Sequence, residues 1–163
     1  MDLWDPNWLR QLELAVKVGL AGLFSGIIGF ERELANRPAG LRTHALLGAG
    51  SALLVGLSDL LVEHFVDATL PDILRADPIR VVEAIVTGTA FIGAGTIFRH
   101  QDKGTVEGLT TAASLLLAAS VGIVVAMRQL LLAAIVTLFA LILLRTVAVL
   151  LSKSQHDPDR KTN

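Results

Sequence analysis

Five apolar stretches, at about 12–30, 44–63, 80–98, 108–126 and 129–151, follow one another with only short polar interruptions. A helix needs about 20 mostly apolar residues to cross a bilayer, with a usable range of roughly 17–25. Within lipid every backbone polar group must be bonded inside the segment or in a closed barrel. Runs of this length therefore point to helices. The expectation is an all-α polytopic membrane protein of about five transmembrane helices, with residues 1–152 as one membrane domain. Residues 153–163 form a polar tail, expected to be cytoplasmic and disordered. At 53% hydrophobic, the chain is too apolar for a soluble domain of this size. Its 14 Lys+Arg nearly balance 15 Asp+Glu, so no basic field points to nucleic acid. Cysteine is absent, which excludes disulfides, thiolate metal sites and thiol catalysis.

The N-terminus lacks a basic leader, so the first apolar run is expected to stay in place as a span. Trp4 and Trp8 suit an interfacial anchor or a short amphipathic helix. Asp5-Pro6 and Asp77-Pro78 each set a capping acid before a proline that can open a helix. Between the second and third spans, Leu70, Ile73 and Leu74 suggest a short interfacial helix. Lys and Arg favour the loop holding Arg32, Arg37 and Arg42, the loop holding Arg99 and Lys103, and the tail. By the positive-inside rule, the N-terminus lies outside and the C-terminus inside.

Small residues recur on single helix faces: Gly19, Gly22, Gly26 and Gly29 in the first span, and Gly48, Ala52 and Gly56 in the second. The third has Gly88 and Gly93, followed by Gly95; Gly108 precedes Thr111, Ser114, Ala118 and Gly122 in the fourth. In lipid, helices associate by close packing, so such faces let backbones approach. A pore lined by the same faces is the alternative. The fifth span is rich in Leu, Val and Ile, which suits a peripheral, lipid-facing helix.

Two charged turns interrupt the apolar pattern, GFERELANRPAGLRTH at 29–44 and GAGTIFRHQDKGTVEGLTTAA at 93–113. GLRTHA matches GLTTAA, and upstream Gly26 aligns with Gly93 and Arg32 with Arg99. The match suggests a parallel duplication of a two-helix hairpin. It would bring two helix N-termini, near Thr43 and near Thr110–Thr111, to one face with Arg32, Arg37, Arg42 and Arg99 close by. Free N–H groups and a positive dipole end there could bind an anion such as phosphate. In the competing reading, the threonines cap their helices while the arginines pair with Glu31, Glu33 and Glu107. His44 is either a pH-sensitive group or a helix-start hydrogen-bond donor.

Glu83 falls within the third apolar run, where an ionisable group needs a partner, a cavity or an ion path. Asp59 lies at a comparable outer depth on the second span, so the two are candidates for an outer vestibule that takes Mg²⁺ through oxygen ligands. Asp77 and Glu31 complete the acids considered for ion binding. Pairing of Glu83 with Arg80 is the plain alternative. No HExxH, GxSxG or P-loop occurs, and the expectation is a protein that is not an enzyme and holds no cofactor.

These stretches resemble the MgtC/SapB family of bacterial inner-membrane proteins, through GFERE, RPAGLRTHALLGAGSAL, DPIRVVEAIVTG and VEGLTTAASLLLAASVG. Together they cover about Gly22 to Gly122, with positions of interest from Glu31 to Ser114. The resemblance implies a compact helical domain of four or five spans, linked to Mg²⁺ homeostasis, to growth in low Mg²⁺ and, in virulence-related members, to survival inside macrophages. Some members restrain the rotary ATP synthase or alter phosphate uptake. GTAFIGAG here departs from the common GIGFLGAG, and Leu116 stands where a tryptophan often follows. The soluble C-terminal domain of virulence-type members is not expected in this chain. The functional expectation is a small regulator acting through membrane partners; the alternative is a dimeric transporter or channel-like module for Mg²⁺ or another ion.

Overall fold

The computed structural model describes residues 8–66, 77–99 and 106–154. Trp4, Asp5-Pro6, the segment holding Leu70, Ile73 and Leu74, Lys103 and the tail beyond Ser154 lie outside the described residues. Five helices follow the five apolar runs: α1 (Trp8–Leu34), α2 (Leu41–Val66), α3 (Pro78–Ala94), α4 (Leu109–Ala126) and α5 (Leu130–Ser154). By length and composition α1, α2 over Leu41–Val62, and α4 can each cross a membrane. The 17 residues of α3 sit at the short end of the usable range.

Helix ends follow local chemistry. Asp77 caps α3 by accepting from Ile79 N at 3.0 Å, with Pro78 as the first helical residue. At its other end α3 stops at Ala94 instead of running to 98. Gly95 follows, and the Thr96 side chain donates to Gly93 O at 2.7 Å, closing the last turn. The chain then forms an unexpected two-residue ladder, β1 (Phe98–Arg99) against β2 (Val106–Glu107). Gly108 leads into α4 with φ of 95°, a left-handed conformation natural to glycine, and a Cβ there would overlap Thr96 O.

Both α1 and α4 end in a Schellman turn. Arg37 N donates to Arg32 O and Asn36 N to Glu33 O, each at 3.0 Å, with Asn36 at φ 52°. Gln129 N donates to Val124 O at 3.1 Å and Arg128 N to Val125 O at 2.9 Å. Here Arg128 takes the left-handed position, at φ 62°, that glycine or asparagine usually fills.

The closest packing is among α1, α2 and α4. Ser25 Oγ donates to Ala118 O at 3.0 Å. A Cβ on Gly48 would overlap Ser25, and one on Gly122 would overlap Gly48 O. Ala21, Ile28, Ala52, Val121 and Val125 fill the core around this crossing. Helix α3 packs mainly on α4, through Ile85, Ala119 and Ile123, and more lightly on α2. Helix α5 lies against α1 and α4 through Ala133, Thr137 and Ala140, while Leu131, Phe139 and Ile142 face outward.

The glycines divide. Gly22 and Gly26 rest on Ala45, Gly93 on Ala112, and a Cβ on Gly29 would stand 2.6 Å from Gly40 O. Gly19 and Gly88 depart from the packing expectation: among the described residues a Cβ on either meets nothing within 4 Å, so neither brings two of the described backbones together. Gly95 meets the carbonyls of its own helix end, so its role is to finish α3.

Candidate functional site at the helix N-termini

GLRTH and GLTTA each open a helix directly after their glycine, and the opening segments of α2 and α4 meet. They meet through buried side chains. His44, fully buried, places Nδ1 3.0 Å from Gly40 O and Nε2 3.0 Å from Ser114 Oγ. Ser114 Oγ in turn lies 2.8 Å from Thr111 O, a second acceptor within reach of its one hydrogen. A carbonyl only accepts, so Nδ1 carries a hydrogen toward Gly40. The second bond has two proton arrangements. A neutral imidazole accepts the Ser114 hydrogen at Nε2; an imidazolium donates to Ser114, whose own hydrogen is then donated to Thr111 O. Histidine beside serine resembles a nucleophile and its base, and here both side chains are buried in the bundle.

Glu31 and Arg32, adjacent at the end of α1, are also buried, at 7% and 4% exposure. They pair with each other, Arg32 Nε donating to Glu31 Oε2 at 2.8 Å. A buried charge needs such a partner. Arg32 therefore turns inward, away from the open site, and Glu31 is engaged by a protein cation.

Glu33 supplies a contact that the sequence reading missed. Its Oε2 accepts from Leu41 N at 2.9 Å, so a carboxylate from α1 satisfies the first orphan donor of α2. Thr43 is not the cap. Around this point Glu33, Asn36, Arg37, Gly40, Arg42 and Thr43 line an open polar pocket of about 580 Å³. The residues expected to bind an anion thus fall into separate places. Arg37, Arg42 and Thr43 share the pocket, while His44, Thr111 and Ser114 are buried behind it. Arg99 sits on the β hairpin, paired through its backbone with Val106, and Thr110 is exposed outside the pocket lining.

At the other end of the bundle, Asp59 lines a cleft that Glu83 does not share. Asp59 shares a cleft of about 260 Å³ with Arg10, Glu13, Lys17 and Arg128. Glu13 accepts from Arg128 and pairs with Lys17 at 2.9 Å. Glu83 is exposed on α3 and does not line that cleft. Asp77 is the cap of α3, with Arg80 at 3.9 Å, so Arg80 leans toward Asp77 and not toward Glu83. Among the described residues no three His, Asp or Glu side chains gather to hold a metal ion.

The MgtC family model matches residues 18–153 of this chain. Similar proteins include "Putative magnesium transporter YhiD" of Escherichia coli (strain K12), 41% identical over 69% of this chain and 50% of that protein. "Protein SapB" of Bacillus subtilis (strain 168) is 36% identical over 72% of this chain and 49% of its own length. "Protein MgtC" of Brucella abortus (strain 2308) is 38% identical over 81% and 50%. The chain thus spans about half the length of the curated relatives it matches. No solved structure matches it.

Proposed function

The chain belongs to the MgtC family, and from that premise we propose that it is a small regulatory membrane protein linked to Mg²⁺ homeostasis and low-Mg²⁺ adaptation, working through a membrane partner without catalysing a reaction. The observation that carries the regulatory reading is the closed crossing of α1, α2 and α4. Ser25, Gly48 and Gly122 bring the three backbones together, and Ser25 directs its hydrogen to Ala118 O. The link to Mg²⁺ draws on the E. coli relative named for magnesium transport. We place the chain in a bacterial inner membrane, N-terminus outside and C-terminus cytoplasmic, as the Lys and Arg distribution favours.

One observation favours the second reading, a dimeric Mg²⁺ carrier. Glu83 stands exposed on α3 and, among the described residues, has no cation ion-paired with it. A second copy could supply that partner. Mg²⁺ flux into liposomes separates the two readings, comparing the chain, Glu83→Gln and empty vesicles. A regulator gives flux no greater than empty vesicles, and Glu83→Gln retains its effect on growth in low Mg²⁺. Saturable flux that Glu83→Gln abolishes would overturn the regulatory reading.

A further inference from the structure

Two openings adjoin at the start of α2. The first is the polar pocket of Arg37, Arg42 and Thr43. The second is a wholly apolar groove of about 330 Å³ on the surface between α1 and α2. Gly22, Gly26 and Ala45 form its floor, and Leu23, Phe30 and Leu41 its walls. The groove is shallow-sided because glycines replace side chains on α1. Gly26 already lies so near α2 that its Cβ would stand 3.4 Å from that of Ala45.

The openings are aligned. Gly26, Phe30 and Glu33 follow at i, i+4 and i+7, so one face of α1 leads from the groove into the pocket. On α2, Leu41 lines the groove while its neighbours Gly40 and Arg42 line the pocket. Polar and apolar cavities joined end to end reproduce the profile of a bilayer at its interface, where headgroup gives way to acyl chain.

We infer that groove and pocket together hold one anionic phospholipid, with an acyl chain along the glycines of α1 and the phosphate against Arg37 and Arg42. The charges fit this occupant. Glu33 is the one carboxylate lining the pocket, and it is engaged by Leu41 N. Arg32 is already neutralised by Glu31. Arg37 and Arg42 are both exposed and, among the described residues, neither is ion-paired. A packed helix from a second copy could fill the groove with apolar side chains, but would leave these two guanidinium groups without a counter-charge. A lipid phosphate satisfies both openings at once. The inference goes beyond the proposed regulatory role and does not depend on it.

Native mass spectrometry of the purified chain, released from mixed phosphatidylglycerol and phosphatidylcholine, tests this. The wild type should retain phosphatidylglycerol preferentially. Arg37→Gln with Arg42→Gln should weaken that preference roughly tenfold or more, given the attraction of each basic side chain for anionic lipid. Phe30→Ala, at an exposed wall of the groove, should lower retention of both lipids alike. Arg80→Gln, at the other end of the bundle, should change neither. Equal retention of the two lipids by the wild type, or an unchanged preference in the double arginine variant, would overturn the inference. So would an equal loss in Arg80→Gln, which would mark the attraction as general. Thermal stabilisation by inorganic phosphate matching that by phosphatidylglycerol would also overturn it, since the groove would then be idle.

Discussion

His44 of α2 and Ser114 of α4 touch at 3.0 Å across 70 residues of chain, and both are buried. This bond joins the first turn of α2 to the second turn of α4, just past the glycine-leucine motif that begins each helix. It is a polar tie inside an apolar bundle. Cutting one partner leaves the other unsatisfied.

His44→Ala and Ser114→Ala should therefore each destabilise the protein, and their effects should not add. Interhelical hydrogen bonds in membranes are typically worth about 0.6–2 kcal/mol. A double-mutant cycle followed by SDS unfolding should give a coupling of about that size. Additive losses would mean that the contact is incidental.

Glycine substitutions should separate into two classes by melting temperature. Gly108→Ala forces a left-handed backbone and an overlap with Thr96 O, while Gly122→Ala drives into Gly48 O. Both should unfold the chain at markedly lower temperature. Gly19→Ala and Gly88→Ala enter open space and replace a poor helix former, so they should be neutral or stabilise by up to about 1 kcal/mol each.

Thr137 on α5 is buried, and among the described residues its hydroxyl has no hydrogen-bond partner. An unsatisfied buried hydroxyl costs free energy that an isosteric methyl does not. Thr137→Val should raise the melting temperature. A fall would point to a partner of that hydroxyl.

Arg128 holds a left-handed conformation while its guanidinium bonds Glu13. Arg128→Ala removes the ion pair and retains most of the backbone strain; Arg128→Gly removes both. The glycine variant should exceed the alanine variant in stability by about 1 kcal/mol. Equal melting temperatures would show the turn to be unstrained.

The sequence made the helices legible because apolar length and charge interruption are one-dimensional signals. Asp77-Pro78 marked a helix start for the same reason: cap and proline are neighbours in the chain. The second charged turn was harder, since the short ladder of Phe98–Arg99 with Val106–Glu107 leaves little pattern in two-residue strands. Site residues were legible as a group but not in their arrangement. Arg32, Arg37 and Arg42 look alike in sequence, yet one is buried with Glu31 and two face the open pocket. The reach of Glu33 to Leu41 N depends on the path of the Schellman turn, and the meeting of Glu13 with Arg128 on the fold of the whole chain. Gly19 and Gly88 followed the spacing of packed glycines without a backbone to pack against.

The burial of His44 also bears on the order in which the helices can be laid down. Residues up to Val66 contain both helices of the first hairpin and the carbonyl of Gly40, so Nδ1 finds its acceptor as soon as α2 forms. Its other nitrogen must wait for Ser114. A chain halted after α2 leaves that side of the imidazole without its serine partner, which only the arrival of α4 supplies. The first hairpin is thus polar on the flank that its last central neighbour will cover.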